Sequence, residues 1–279
     1  MKHTLKITLL LAVLFLLAQI IGLQIVKGYL EIKEIRVGNQ TVVQKEWQAL
    51  PYNVERPRLE EETSYLPIFL TILAATIVLI VIIRLGLLKL WKFWFFLSVW
   101  ACLMIAFGAF IHQRLALIIA FILAVAKTLR YSLVLHNLTE LFIYGGLAAI
   151  FTPVFSLWSI SILLILISVY DFIAVLKTKH MVKMAKFQAK LKLFAGLMIP
   201  YGDGRTAILG GGDIGFPLIF SAVLMKDYGN SAFIVPLFTS LALLYLLIKG
   251  EKNKFYPAMP YISAGCFIGY LILLLVNIV

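Results

Sequence analysis

Charge is scarce in this 279-residue chain: Asp, Glu, Lys and Arg together make up only 14% of it. A soluble domain needs a charged, hydrated surface. With 62% hydrophobic residues and a mean hydropathy of +1.00, the chain has too little polar sequence to build one. Cysteine is scarcer still. Cys102 and Cys266 are the only two, and both fall in apolar runs, which excludes a disulfide framework and a cysteine metal cluster. The four histidines, His3, His112, His136 and His180, are dispersed, form no zinc set and read as interfacial or loop residues. No nucleotide-binding loop, low-complexity tract or internal repeat is present. The short alternating segments of a membrane β-barrel are also missing.

What the chain has in abundance is long apolar runs separated by short polar stretches. A helix that crosses hydrocarbon needs about 20 apolar residues. Such runs fall at 5–26, 66–87, 91–111, 115–130, 138–155, 157–176, 205–225, 231–249 and 257–278. The expected fold class is therefore all-α, a polytopic membrane helical bundle of about nine transmembrane helices, with residues 1–279 as one membrane domain. The fourth run is the weakest. Its apolar core is short and it ends in Lys127 and Arg130, as in a tilted or partly interfacial helix. The first run follows Met1-Lys2-His3 as a secretory signal would. It is too long for a signal's apolar region and lacks a small-x-small cleavage site, so it reads as a retained span.

The formal charge is +12. Nucleic acid is not the expected partner, because the lysines and arginines lie in short loops between apolar runs, where they set topology. With the N-terminus cytosolic and the C-terminus outside, most of the 25 basic residues fall inside a multi-pass cell membrane protein. Loop 27–65 is then the sizeable external segment, balanced by glutamates and too short and polar for a catalytic domain. Loop 177–204 is the long cytosolic connection. Lys179, Lys183, Lys186 and Lys190 recur there at helical spacing, either as topogenic charge or as a stripe that docks lipid or substrate. Asn39-Gln40-Thr41 is a glycosylation sequon of a kind frequent by chance. Glu140, near a run's end, reads as interfacial.

Two acidic residues stand out against this background. Asp171 lies in SILLILISVYDFIAVL and Asp213 in AILGGGDIGFPLIF. A carboxylate at bilayer depth costs roughly 3 kcal/mol or more, so such residues usually serve a function. Helical rise places Asp171 ~9 Å and Asp213 ~12 Å from the cytosolic ends of the sixth and seventh runs. Consecutive antiparallel helices tend to be neighbours, so the two carboxylates can face each other in the inner leaflet. Two close carboxylates share a proton and titrate as a pair. That suits aspartic proteolysis: one takes a proton from a bound water, while the other polarises the scissile carbonyl and protonates the leaving amine.

The neighbouring residues allow more than one reading. Gly210, Gly211 and Gly212 admit a substrate backbone or loosen the helix start, or else serve helix packing. Tyr170 either hydrogen-bonds near the pair or fills the bundle core. Pro257-Ala258-Met259-Pro260 opens the ninth run, and two prolines three apart disfavour a regular helix start. This segment is either one wall of the site or an ordinary proline-rich entry. Gly265 and Gly269 read as packing contacts at GxxxG spacing.

These segments together resemble the presenilin and signal peptide peptidase family. SVYDFIAVLKTKHM is similar to its YD segment, Gly210-Gly211-Gly212-Asp213 matches GxGD, and Pro257-Ala258-Met259-Pro260 resembles PAL. Order, spacing and layout agree over nearly the whole chain, and YDFIAVLKTKHM looks most like the archaeal presenilin homologues. The resemblance implies an intramembrane-cleaving aspartic endopeptidase with Asp171 and Asp213 as catalytic pair and no metal or other cofactor. It implies transmembrane helical substrates, with Pro257, Ala258 and Pro260 shaping the site and holding an unwound substrate. A cytosolic N-terminus is presenilin-like, whereas Ile214-Gly215-Phe216-Pro217 looks more like the peptidase branch. Met259 replaces the PAL leucine at similar volume, so its role is expected to survive. The loop between the sixth and seventh spans lacks the long insertion of animal presenilins, so the unbroken chain is expected to work. A homo-oligomer is compatible with all of this.

Leu197, Met198 and Ile199, in Gly196-Leu197-Met198-Ile199-Pro200, are expected to form an edge strand that pairs with an unwound substrate. The competing function is a proton- or cation-conducting transporter or leak channel that uses the same carboxylates. An inactive scaffold is a third reading, disfavoured by the cost of keeping both aspartates.

Overall fold

A backbone surrounded by hydrocarbon must satisfy its own hydrogen bonds, and the apolar runs do so as helices. The computed structural model describes residues 4–37, 40–130, 132–177, 193–202, 205–251 and 255–278. Among them are nine α-helices: α1 (Leu5–Lys27), α2 (Tyr65–Arg84), α3 (Leu88–Gly108), α4 (Gln113–Leu129), α5 (Leu133–Phe151), α6 (Leu157–Phe172), α7 (Gly211–Tyr228), α8 (Ile234–Lys249) and α9 (Met259–Ile278). Two antiparallel hairpins accompany them, β1 (Leu30–Val37) with β2 (Gln40–Trp47), and β3 (Gly196–Tyr201) with β4 (Arg205–Gly210). The lysine stripe at 179, 183, 186 and 190 lies outside the described residues, as do His3, Asn39, His180, Asp203 and Gly204.

Seven segments of the described chain are long and apolar enough to cross a membrane. One, Gly211–Lys249, contains both α7 and α8, joined by a short helical turn at Gly229–Phe233. Helix α4, at 17 residues, falls short of that length, so length and apolarity alone do not reach the expected nine spans.

The largest departure is at the seventh run. The apolar run predicts helix from residue 205, but Arg205–Gly210 is a strand and α7 begins at Gly211. Glycine disfavours a helix interior by about 1 kcal/mol per residue, so the triplet at 210–212 ends the strand and only then admits a helix start. The short apolar stretch Ala207–Leu209 before it suits strand as well as helix, and β3 supplies the partner. The first hairpin occupies the loop expected outside. Lys45 Nζ donates to the carbonyls of Lys226 (2.6 Å) and Asp227 (3.2 Å) at the C-terminus of α7. The two hairpins therefore lie at opposite ends of α7, which is ~27 Å long.

Helix α1 packs against α5, α7 and α8 near the middle of the bundle, and Leu11, Phe15, Leu23 and Ile25 on it are buried. Helix α5 is gripped on both sides through adjacent glycines. Gly145 meets Gly22 and Ile25 of α1, and Gly146 lies against the Cys102 backbone of α3. Gly265 and Gly269 of α9 touch the α8 backbone at Phe238, Thr239 and Val235, as their spacing suggests. Gly146→Ala puts a methyl into the Cys102 carbonyl and forces α3 from α5. We expect a loss of about 1–3 kcal/mol, read as an earlier thermal transition in detergent.

Candidate active site

Asp213 is the third residue of α7, with Gly210 as the N-cap. It therefore stands at the helix start, not ~12 Å along it. Its carboxylate turns back to accept the Gly210 N–H, as the acidic partner of a capping box does. An acidic side chain there also faces the positive end of the helix dipole. Pro217 lacks the N–H that the Asp213 carbonyl would otherwise receive within the helix. Gln19 of α1 steadies the same turn by donating to the Ile214 carbonyl at 2.8 Å.

Asp171 is the last residue but one of α6, just before a π-helical turn at Ile173–Lys177. Its carboxylate faces the start of α9. The Met259 N–H donates to Oδ2 at 3.1 Å, and the Ala258 N–H also bonds the carboxylate. This accounts for the Pro257–Pro260 spacing. Neither proline has an N–H, so the two amides between them are the only donors of that segment, and both go to Asp171. Asp171 thus caps α9 from another helix. Pro257 and Met259 are buried, Ala258 and Pro260 half-buried.

The two carboxylates are close enough to interact electrostatically. Each is aimed by amides at a helix N-terminus, so neither is the bare carboxylate that a uniform apolar run suggests. Tyr170 turns elsewhere: its hydroxyl reaches Thr76 of α2 at 3.5 Å and its ring meets Phe69 edge-on. Among the glycines, the tight position is Gly211, where a Cβ would lie 2.7 Å from the Tyr144 hydroxyl. Gly212 is exposed, and a Cβ there would make only ordinary contact with Phe216. A cavity of 410 Å³ adjoins these glycines between α3, α5 and α7, lined by Trp91, Trp94, Cys102 and Tyr144 among others.

Strand β3 is not the open edge that the sequence suggests. Leu197, Met198 and Ile199 are buried, with β4 on one side and α5 on the other. Asn137 of α5 accepts the Met198 N–H at 3.0 Å and donates to its carbonyl at 2.7 Å. Glu140 accepts the Gly196 N–H at 3.0 Å, and His136 Nε2 bonds the Gly196 carbonyl at 2.8 Å. In an antiparallel ladder, residues alternate between facing the partner and facing away. Gly196 and Met198 face α5, so Leu197 and Ile199 bond Leu209 and Ala207. Thr206 and Ile208, opposite Pro200 and Met198, then turn their N–H and C=O groups outward, where they meet no partner among the described residues. The open edge belongs to β4, which leads directly to Asp213.

His136 and Glu140 are each 1% exposed, against the expectation that both are interfacial. The reason is Lys127 on α4, whose ammonium sits 2.7 Å from Glu140. His136, Asn137 and Glu140 share one face of α5. Their spacing is visible in the sequence, but a partner 13 residues away on another helix is not.

Residues 52–279 match the family model described as signal-peptide peptidase, presenilin aspartyl protease. Two solved structures have a similar fold, each described as a presenilin family intramembrane aspartate protease. The one in space group C222 has TM-score 0.62 and 20% identity, covering 94% of both chains. The one in P2 has TM-score 0.62 and 21% identity, covering 95% of this chain and 96% of the other. No curated protein matches the chain.

Proposed function

Because the chain belongs to the signal-peptide peptidase and presenilin aspartyl protease family, and so is an intramembrane aspartic endopeptidase, we propose that Asp171 and Asp213 are its catalytic pair. The observation that carries this reading is that the two carboxylates lie within electrostatic reach of each other, each held by backbone amides of a different helix start. One carboxylate takes a proton from a water held between them. The water oxygen attacks the scissile carbonyl, which the protonated partner polarises. The proton then passes to the leaving amine. Ala258 and Met259 orient Asp171, and Pro257 and Pro260 ensure that no other amide of the segment competes for it.

The substrate is a single-span helix. Its peptide groups are shielded while helical, and unwinding them in hydrocarbon leaves costly unpaired groups. The outward N–H and C=O groups of Thr206 and Ile208 supply partners for an unwound stretch. A strand paired there runs on toward Gly210, ~7 Å beyond Ile208 at a strand's rise, where α7 and Asp213 begin. Exposed Gly212 leaves that approach clear, and the adjoining apolar cavity accepts a substrate side chain. The distribution of basic residues supports a cytosolic N-terminus and an outer C-terminus, which puts the pair in the inner leaflet.

The test is cleavage of a purified single-span helix by the chain in liposomes, beside Asp171→Asn and Asp213→Asn. Cutting by the wild type and by neither variant is expected. Met259→Leu, in contrast, keeps the amide and nearly the volume. We expect its cleavage rate to stay within about threefold of wild type in that assay, since volume-conserving swaps usually cost little.

A further inference from the structure

The buried polar cluster between α4 and α5 has no role in the chemistry just described. Lys127, His136, Thr139 and Glu140 are between 1% and 3% exposed. Lys127 Nζ donates to Glu140 Oε1 (2.7 Å), Thr139 Oγ1 (2.8 Å) and the His136 carbonyl (3.3 Å). The other carboxylate oxygen of Glu140 accepts the Gly196 N–H at 3.0 Å and the Tyr144 hydroxyl. Replacing a buried ion pair by apolar side chains is often neutral or stabilising. Stability alone therefore gives little reason for this pair. What it does hold is β3: with His136 and Asn137, Glu140 meets all four outward backbone groups of Gly196 and Met198. One face of α5 thus presents to β3 what a neighbouring strand would.

We propose that Lys127 and Glu140, with His136 and Asn137, are positioning residues that fix the register of β3 against α5 and thereby the place of Asp213. Two paths lead from Glu140 to the residues before Asp213. Along the first, β3 sets β4 by pairing, and the Ala195 carbonyl accepts the Gly211 N–H at 3.0 Å to close the hairpin base. Along the second, Tyr144 carries its Glu140-bonded hydroxyl against Gly211. A strand that slips by one residue moves ~3.3 Å and turns its side chains to the other face. A displacement of that size at Asp213 separates it from Asp171. Lys127 acts through Glu140, holding its carboxylate in place by the 2.7 Å contact to Oε1. The proposal rests on Asp213 being catalytic.

The test uses the full chain in liposomes and the double variant Lys127→Met with Glu140→Leu, which removes the pair without leaving a lone buried charge. Its thermal transition is expected to fall modestly, because the Gly196 N–H and the Tyr144 hydroxyl lose their acceptor, while kcat per folded molecule falls about 100-fold, as for an ångström-scale misplacement, with KM nearly unchanged. Hydrogen exchange in the peptide covering 196–201 is expected to rise roughly tenfold with the lost bonds. Asn137→Ala tests the same edge without touching the ion pair and moves exchange and kcat in the same directions. Lys127→Arg keeps the pair and retains wild-type kcat. Unchanged kcat per folded molecule in the double variant and in Asn137→Ala overturns the proposal. So does a fall in kcat without faster exchange at 196–201. If the wild type cleaves nothing, the catalytic reading fails, and unchanged exchange in these variants overturns the positioning role separately.

Discussion

Asp171→Asn and Asp213→Asn are each expected to lower the cleavage rate about 10²–10⁴-fold while the chain stays folded. Asparagine is the informative replacement because both aspartates also serve structure. Its amide oxygen at position 171 would still accept the Met259 N–H that Asp171 accepts at 3.1 Å, so α9 keeps its cap. At position 213 the amide oxygen still accepts the Gly210 N–H, so the start of α7 persists. What asparagine cannot do is exchange a proton with water or with the leaving amine. Alanine at position 171 confounds the two roles, since loss of a cap costs about 1 kcal/mol or more. The double asparagine variant is expected to be no worse than either single one, because residues that act as a unit fail as a unit. The measurement is initial-rate cleavage in liposomes, with thermal transitions run in parallel. Either single variant cutting at a tenth of the wild-type rate or faster counts decisively against the pair.

The two aspartates were legible in the sequence because burying a carboxylate is expensive, and the apolar context made the exceptions plain. The helix boundaries around them were less so. Arg205–Gly210 is apolar enough for either secondary structure, and only its pairing with Gly196–Tyr201 makes it a strand. The glycine and proline around Leu197–Ile199 did mark a strand, but which edge lies open depends on where Asn137 and Glu140 sit, which is a tertiary fact. Glu140 and His136 looked interfacial because their partners are distant in the chain: Lys127 on α4 for one, and the Gly196 carbonyl for the other. The Pro257–Pro260 segment announced an irregular helix start. That its two amides converge on Asp171 required α6 and α9 to be in contact.

Ile208→Pro is expected to reduce cleavage at least about 100-fold, on the scale set by ångström-level misalignment of a reacting group. The prediction follows from ladder geometry. The backbone groups of Ile208 face away from β3, because it stands opposite Met198, whose own groups go to Asn137. A proline at 208 therefore removes no bond between β3 and β4 and meets the condition under which edge strands tolerate proline. It removes one outward N–H and places a ring where a substrate strand would lie. Leu209→Pro makes the contrast, since the Leu209 N–H lies within the hairpin ladder and its loss disturbs Asp213 directly. Ile208→Val is the control for side-chain effects and should cleave as wild type. Rates on an intact single-span helix are compared with rates on a short extended peptide that needs no unwinding. If the β4 edge holds the unwound substrate, Ile208→Pro suppresses both, because both must pair to reach Asp213. Wild-type rates in Ile208→Pro on either substrate would mean that the substrate reaches the carboxylates without this edge. In that case the open N–H and C=O groups of Thr206 and Ile208 would need another occupant.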